Sequence, residues 1–156
     1  NIVRTYAPLA QDSPLQEDRL RQTLNVERRL IRWYAEREQW VQAVSLAREW
    51  LVSWVMTCLN LTHLTRRGLR ERIENVIGAE ASDYLAAKRN KSDNTPFTSI
   101  FLSSVPHLDE VLSLWLSLSD VRNDIDHAGM REDPGDPQNL IQQIRASLET
   151  IDKLPL

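Results

Sequence analysis

The feature that most constrains the fold is a long apolar stripe between residues 38 and 60. Its side chains recur every three or four positions, which is the spacing of one face of a helix. They are Trp40, Val44, Ala47, Leu51, Val55 and Cys58, widened by Ala43, Trp50 and Trp54. The opposite line is polar and narrow, and consists of Glu38, Gln42, Ser45, Glu49 and Ser53. So wide an apolar face predicts the central helix of a bundle, with neighbours on several sides.

The composition favours an all-α fold. Only four glycines occur among 156 residues, while hydrophobic residues make up 42% and charged residues 26%. Ala, Leu, Glu, Arg and Gln recur throughout, and these residues lose little rotamer freedom in a helix. A sheet protein of this length would need more glycine-rich turns. We therefore predict one all-α domain over residues 1–156, which is long enough to bury a core.

Helical periodicity predicts a bundle of about five to six helices. The predicted spans are 13–37, 38–60, 63–78, 80–91, 108–128 and 140–151. Ser13 starts the first as an N-cap, Gly78 ends the third as a C-cap, and a break near Ser119 would interrupt the fifth. The irregular stretch 92–106 contains prolines, and its predicted apolar anchors are Phe97, Ile100 and Phe101. A long loop in a compact domain is often functional.

The ends of the chain and its single cysteine bear on where it acts. The first residue is Asn1, so we expect a processed product or a domain cut from a longer protein. Cys58 has no internal disulfide partner, which fits a reducing compartment. The most apolar run, from Trp50 to Leu61, is too short to span a membrane. The expectation is a soluble, cytoplasmic domain without membrane contact.

The net charge of −3 supplies no global basic field that would attract nucleic acid. Basic residues concentrate between residues 66 and 91, and acidic residues between 109 and 136. Such runs are most often solvated faces. The arginines between Arg66 and Arg72 remain candidates for steering RNA to a local site.

The segment from Asp120 to Met130 carries the residue types that RNA cleavage without a metal requires. That reaction needs a base for the 2′-hydroxyl, an acid for the leaving 5′-oxygen and a cation for the phosphate. His127 suits the proton transfers because the ordinary pKa of histidine lies near neutrality. Arg122 suits the phosphate because its guanidinium is always charged and donates two parallel hydrogen bonds. Asn123 is a candidate for orienting either one, and no metal or other cofactor is expected.

The spacing of these residues favours a homodimer. Five residues of helix turn through about 140°, so Arg122 and His127 do not share one face. Asn123 and His127 do share a face, since they are four residues apart. Two copies packed across a symmetry axis would bring two arginines and two histidines into one cleft. We therefore predict a composite site made by two copies of the chain.

Arg122-Asn123 followed after three residues by His127 resembles the R-x4-H motif of the HEPN superfamily. The continuation through Ala128, Gly129 and Met130 resembles the C-terminal HEPN domain of CRISPR-associated type III ancillary ribonucleases. Residues 40–50 are similar to an inner helix of the same group. Asp124 and Asp126 depart from the neutral or basic neighbours expected there, and their acidic side chains argue against strong phosphate affinity.

The resemblance implies a HEPN-type helical bundle with metal-independent endoribonuclease activity on single-stranded RNA. It implies a homodimer and products that end in a 2′,3′-cyclic phosphate and a 5′-hydroxyl. It also implies an upstream CARF domain, outside this chain, through which cyclic oligoadenylate activates the nuclease in antiviral defence. Arg122, Asn123 and His127 are the implied catalytic residues.

Two other functions remain open. One is a HEPN toxin whose antitoxin partner is a protein such as a small nucleotidyltransferase, and the other is a non-catalytic helical module for dimerisation or docking. In the module, Arg122 would form an ion pair with Asp126, and the helix dipole would favour His127 in a last turn. Arg48 and Glu49 are candidate supporting residues that position Arg122, or else ordinary surface pairs.

Overall fold

The computed structural model describes residues 19–61, 63–64, 66–89, 97–126 and 136–156. These residues form five helices: α1 (Leu20–Ala35), α2 (Trp40–Cys58), α3 (Arg67–Arg89), α4 (Leu108–Asp126) and α5 (Pro137–Lys153). No strand occurs within these ranges, which confirms the all-α prediction. None of these helices is both long and apolar enough to cross a membrane. The predicted helix start at Ser13 and the last residues of the predicted helix 108–128 lie outside the described residues.

Helix α2 is the central helix, as its wide apolar face predicts. It packs against α1, α3, α4 and α5. The seven consecutive residues from Trp50 to Met56 are buried, and seven residues make about two helical turns. These turns are therefore covered around their whole circumference. Ser53, on the polar line of α2, is also only 9% exposed, because it lies under Arg70 of α3, whose Nη1 donates to Ser53 Oγ at 2.9 Å.

Two tryptophans of α2 fasten it to distant parts of the chain. Trp50 Nε1 donates to the Leu24 carbonyl of α1 at 2.8 Å, and Trp54 Nε1 donates to the Pro155 carbonyl at 2.7 Å. Their rings stack with centroids 6.4 Å apart. A buried indole N–H needs an acceptor, so these hydrogen bonds let two large side chains fill the core without an unsatisfied donor.

Helix α3 runs without interruption through Gly78, so the prediction that this glycine separates two helices is wrong. Gly78 faces α4, and a Cβ added to it would lie 3.6 Å from Nε1 of Trp115. The glycine brings the backbone of α3 close to a large buried ring. In sequence, a glycine inside a helix has the same local pattern as a glycine that ends one.

The apolar anchors predicted for the stretch before α4 are also partly wrong. Ile100 is 78% exposed and Phe101 is 67% exposed, whereas Leu102 and Val105 are buried. Phe97 alone behaves as predicted, since it is half-buried and packs edge-on against Tyr84 with ring centroids 5.5 Å apart.

A buried carboxylate explains this arrangement. Glu80 of α3 is only 5% exposed and accepts hydrogen bonds from the Ser99 hydroxyl and, at 2.6 Å, from the Phe101 N–H. The Ser99 oxygen in turn accepts from the Leu102 N–H at 2.8 Å. These bonds fix the backbone so that Leu102 enters the core while Phe101 faces outward. From Leu108 onward α4 is continuous, without the predicted break near Ser119.

Candidate functional site

The last turns of α4 present two of the predicted site residues to the outside. Val121 is fully buried, whereas Arg122 and Asn123 directly after it are exposed. The burial of Val121 fixes how the helix is rotated against the core. The side chains of Arg122 and Asn123 are therefore accessible to a substrate.

The third predicted residue, His127, follows the last residue of α4 and lies outside the described residues. The same is true of the Asp126 side chain, the alternative ion-pair partner for Arg122. The catalytic pairing of Arg122 with His127 and the alternative ion pair of Arg122 with Asp126 both stay predictions.

Arg48 of α2 lies on the same side of α4 as Arg122. Its guanidinium covers the ring of Trp115, with the Arg48 Cζ atom 4.3 Å from the ring centroid. Trp115 precedes Arg122 by seven residues, which places both on one face of α4 about two turns apart. Helical side chains lean toward the N-terminus of their helix, so Arg122 leans toward Trp115 and Arg48. Two helices thus contribute one guanidinium each to a shared surface.

The charges around Arg48 agree with this placement. Burial lowers the pKa of the Arg48 guanidinium, and the nearby positive charge of Arg122 lowers it further. The carboxylates of Glu74 and Glu49 act in the opposite direction. The Arg48 Nε atom is buried and has no hydrogen-bond partner among the described residues. The site therefore places two cations close together, and a pair of neighbouring cations is suited to binding an anion.

Glu49, the other candidate supporting residue, forms a different contact. Its carboxylate accepts from Arg70 Nη2 at 2.7 Å, and Arg70 also donates to the Glu49 and Leu64 carbonyl oxygens, both at 3.1 Å. This network joins α2 to α3. It also occupies Arg70, one of the arginines considered as a steering group for RNA. Of the two supporting candidates, Arg48 is the one that lies beside Arg122.

Sequence reasoning missed the environment of Glu27, a half-buried residue of α1. A cavity of about 360 Å³ lies there, lined by Thr23, Leu24, Glu27, Glu49, Ser53, Leu64 and Arg70. Burial raises the pKa of Glu27, while Arg70 lowers it and Glu49 raises it. No local spacing links Glu27 to Arg70, because the two belong to helices far apart in sequence.

Comparisons with known proteins find no relative of this chain. No protein-family model matches it, and no match is found among curated proteins or solved structures. The resemblance to HEPN domains therefore rests on the segment from Arg122 to Met130 and on residues 40–50 alone.

Proposed function

We propose that the chain is a metal-independent endoribonuclease domain that cuts single-stranded RNA in a site shared by two copies. The observation that carries the proposal is the exposed Arg122-Asn123 pair at the end of α4. Arg48 lies beside this pair, and His127 follows Arg122 by five residues in sequence. These residue types are the ones that phosphate binding and proton transfer require.

The proposed reaction is attack of the RNA 2′-oxygen on the adjacent phosphorus. One imidazole removes the 2′-hydroxyl proton, and a second, protonated imidazole gives a proton to the departing 5′-oxygen. The products are a 2′,3′-cyclic phosphate and a 5′-hydroxyl. Arg122 binds the phosphate and stabilises its growing negative charge, and Asn123 orients the reacting groups. Each copy has one His127, so the two proton transfers require a homodimer.

The resemblance to CRISPR-associated HEPN domains extends the proposal to antiviral defence. In that setting, cyclic oligoadenylate would activate the nuclease through an upstream CARF domain. The substrate remains single-stranded RNA.

The test is cleavage of an end-labelled single-stranded RNA in the presence of EDTA. We expect the chain to cleave it and to leave cyclic phosphate ends. His127→Ala and Arg122→Ala should each lower the rate by about a hundredfold or more. His63→Ala is the matched control, because His63 is an exposed histidine outside α4, and it should leave the rate unchanged.

Two results would contradict the proposal. One is cleavage by His127→Ala at the parent rate, and the other is cleavage that EDTA abolishes. Circular dichroism on each variant confirms that the helical fold is kept. A folded dimer that never cleaves RNA would instead favour a non-catalytic helical module.

A further inference from the structure

Two half-buried arginines of this bundle lie over tryptophan rings, but their guanidinium groups differ in their hydrogen-bond partners. Arg28 covers Trp50 at 4.9 Å, and it donates hydrogen bonds to the Asp152 carbonyl at 3.3 Å and the Leu154 carbonyl at 2.8 Å. Arg48 covers Trp115 at 4.3 Å. Within the described part of the chain, the Nε atoms of both arginines are buried without a hydrogen-bond partner, and Arg48, unlike Arg28, forms no hydrogen bond or ion pair through its terminal nitrogens.

We propose that Arg48 is a second phosphate-binding residue of the Arg122 site. Its guanidinium, held over the Trp115 ring, binds the backbone phosphate next to the one that Arg122 binds. The identification of the ligand as single-stranded RNA rests on the proposed function. The cation pair itself rests on the contacts of α2 with α4.

The stacking geometry supports this role. A guanidinium on an aromatic ring uses its face for that contact, while its N–H donors lie in the plane of the group and point away from the ring centre. A phosphate is bound by these in-plane donors. Trp115 is buried on α4, so it fixes the orientation of Arg48 before any ligand arrives. Less side-chain freedom is then lost on binding.

The electrostatic setting points the same way. Arg48 is partly withdrawn from water and lies near the like charge of Arg122, and both effects are unfavourable. Glu74 offsets them in part, and the carboxylate of Glu49 is bound to Arg70. A polyanion that contacts both guanidinium groups would offset the repulsion between them.

The test measures binding rather than cleavage. Fluorescence anisotropy follows a short, labelled RNA in which every 2′-oxygen is methylated, so that it cannot be cut. The logarithm of the binding constant falls with the logarithm of the salt concentration, by about 0.7 for each phosphate contacted on a single strand. Arg48→Gln should weaken binding several-fold at low salt and make this slope shallower by about 0.7. Arg48→Lys, which keeps the charge, should recover part of the slope.

Arg28→Gln is the matched control, since Arg28 also covers a tryptophan but directs its donors to internal carbonyls. It should lower the thermal stability and leave the salt slope unchanged. The proposal is overturned if folded Arg48→Gln keeps the parent slope, or if the parent chain does not bind the RNA.

The two proposals can fail separately. Cleavage by a parent chain whose salt slope is insensitive to Arg48 would refute the role of Arg48 alone. A slope that depends on Arg48 in a chain that never cleaves RNA would support Arg48 and refute the nuclease.

Discussion

The arginines of this bundle have different roles, structural or ligand-binding, and the groups around each arginine determine its role. Arg70 joins α2 to α3 through Glu49 and Ser53, and Arg28 holds the C-terminal residues against α1. Arg48 stacks on Trp115 beside Arg122. Because the side chains are chemically identical, the distinction depends on which acceptors lie within hydrogen-bond distance. That criterion separates Arg70 and Arg28, which have structural acceptors, from Arg48.

Glu27 provides a residue-scale prediction about pH. Burial raises its pKa, so the folded chain holds the Glu27 proton more tightly than the unfolded chain does. The stability contributed by this proton is fully present below the unfolded pKa of about 4.3 and is lost as the pH rises through the folded pKa. Glu27→Gln should therefore be more stable than the parent at pH 7. The difference should shrink as the pH falls toward 4.

Urea unfolding at several pH values measures this difference. Glu149→Gln is the control for the same change at an exposed glutamate, which lies in α5. A Glu27→Gln variant that is less stable than the parent at pH 7 would show that attraction to Arg70 outweighs the desolvation of Glu27.

Site residues could be predicted from the sequence only where they belong to one short motif within a single helix. Arg122 and Asn123 were singled out from a short motif in one helix, and the structure finds both exposed. Arg48 was named only as a supporting candidate, and its contact with Trp115 could not be predicted. That contact depends on how α2 packs against α4, which no spacing within either helix specifies. The same reason explains why Glu80 and Glu27 were missed.

Helices with one consistent periodic signal could be predicted well from the sequence. The central position of α2 followed from an apolar face too wide for a surface helix. Helix α3 could not be placed in the same way, because Gly78 resembles a helix end until its position opposite Trp115 is known. The prediction of apolar anchors in the stretch before α4 was wrong for a similar reason. The buried Glu80, and not the hydrophobicity of Phe101, determines which side chains of this stretch enter the core.

The continuity of α3 leads to a prediction about Gly78. Glycine inside a helix is less favourable than alanine by about 0.5–1 kcal/mol. A methyl group at Gly78 would meet Trp115 at 3.6 Å, which is an ordinary contact. Gly78→Ala should therefore raise the free energy of unfolding by about 0.5–1 kcal/mol, as measured by urea titration.

Gly68→Ala is the companion variant, because Gly68 lies in the first turn of α3 with nothing within 4 Å of an added Cβ. It isolates the backbone effect of alanine from contact with a neighbour. If Gly78 ended a helix in a left-handed conformation, Gly78→Ala would instead be destabilising by about 1 kcal/mol or more. That result would contradict the uninterrupted helix.

At the scale of the whole molecule, the proposed function depends on pairing two copies. The five helices enclose one core, and the Arg122 surface lies on its outside at the end of α4. One copy supplies one Arg122 and one His127, whereas the reaction uses two proton transfers. The central claim is that both copies contribute to the same site.

A mixed dimer, assembled by co-expression with two different affinity tags, tests that claim most directly. It pairs an unaltered copy with a His127→Ala copy, so the unaltered copy keeps its own Arg122, Asn123 and His127 while the dimer as a whole keeps only one His127. A shared site that needs both imidazoles predicts that the rate of RNA cleavage falls by about a hundredfold or more. Half the parent rate would contradict the account, because each copy would then have its own complete site.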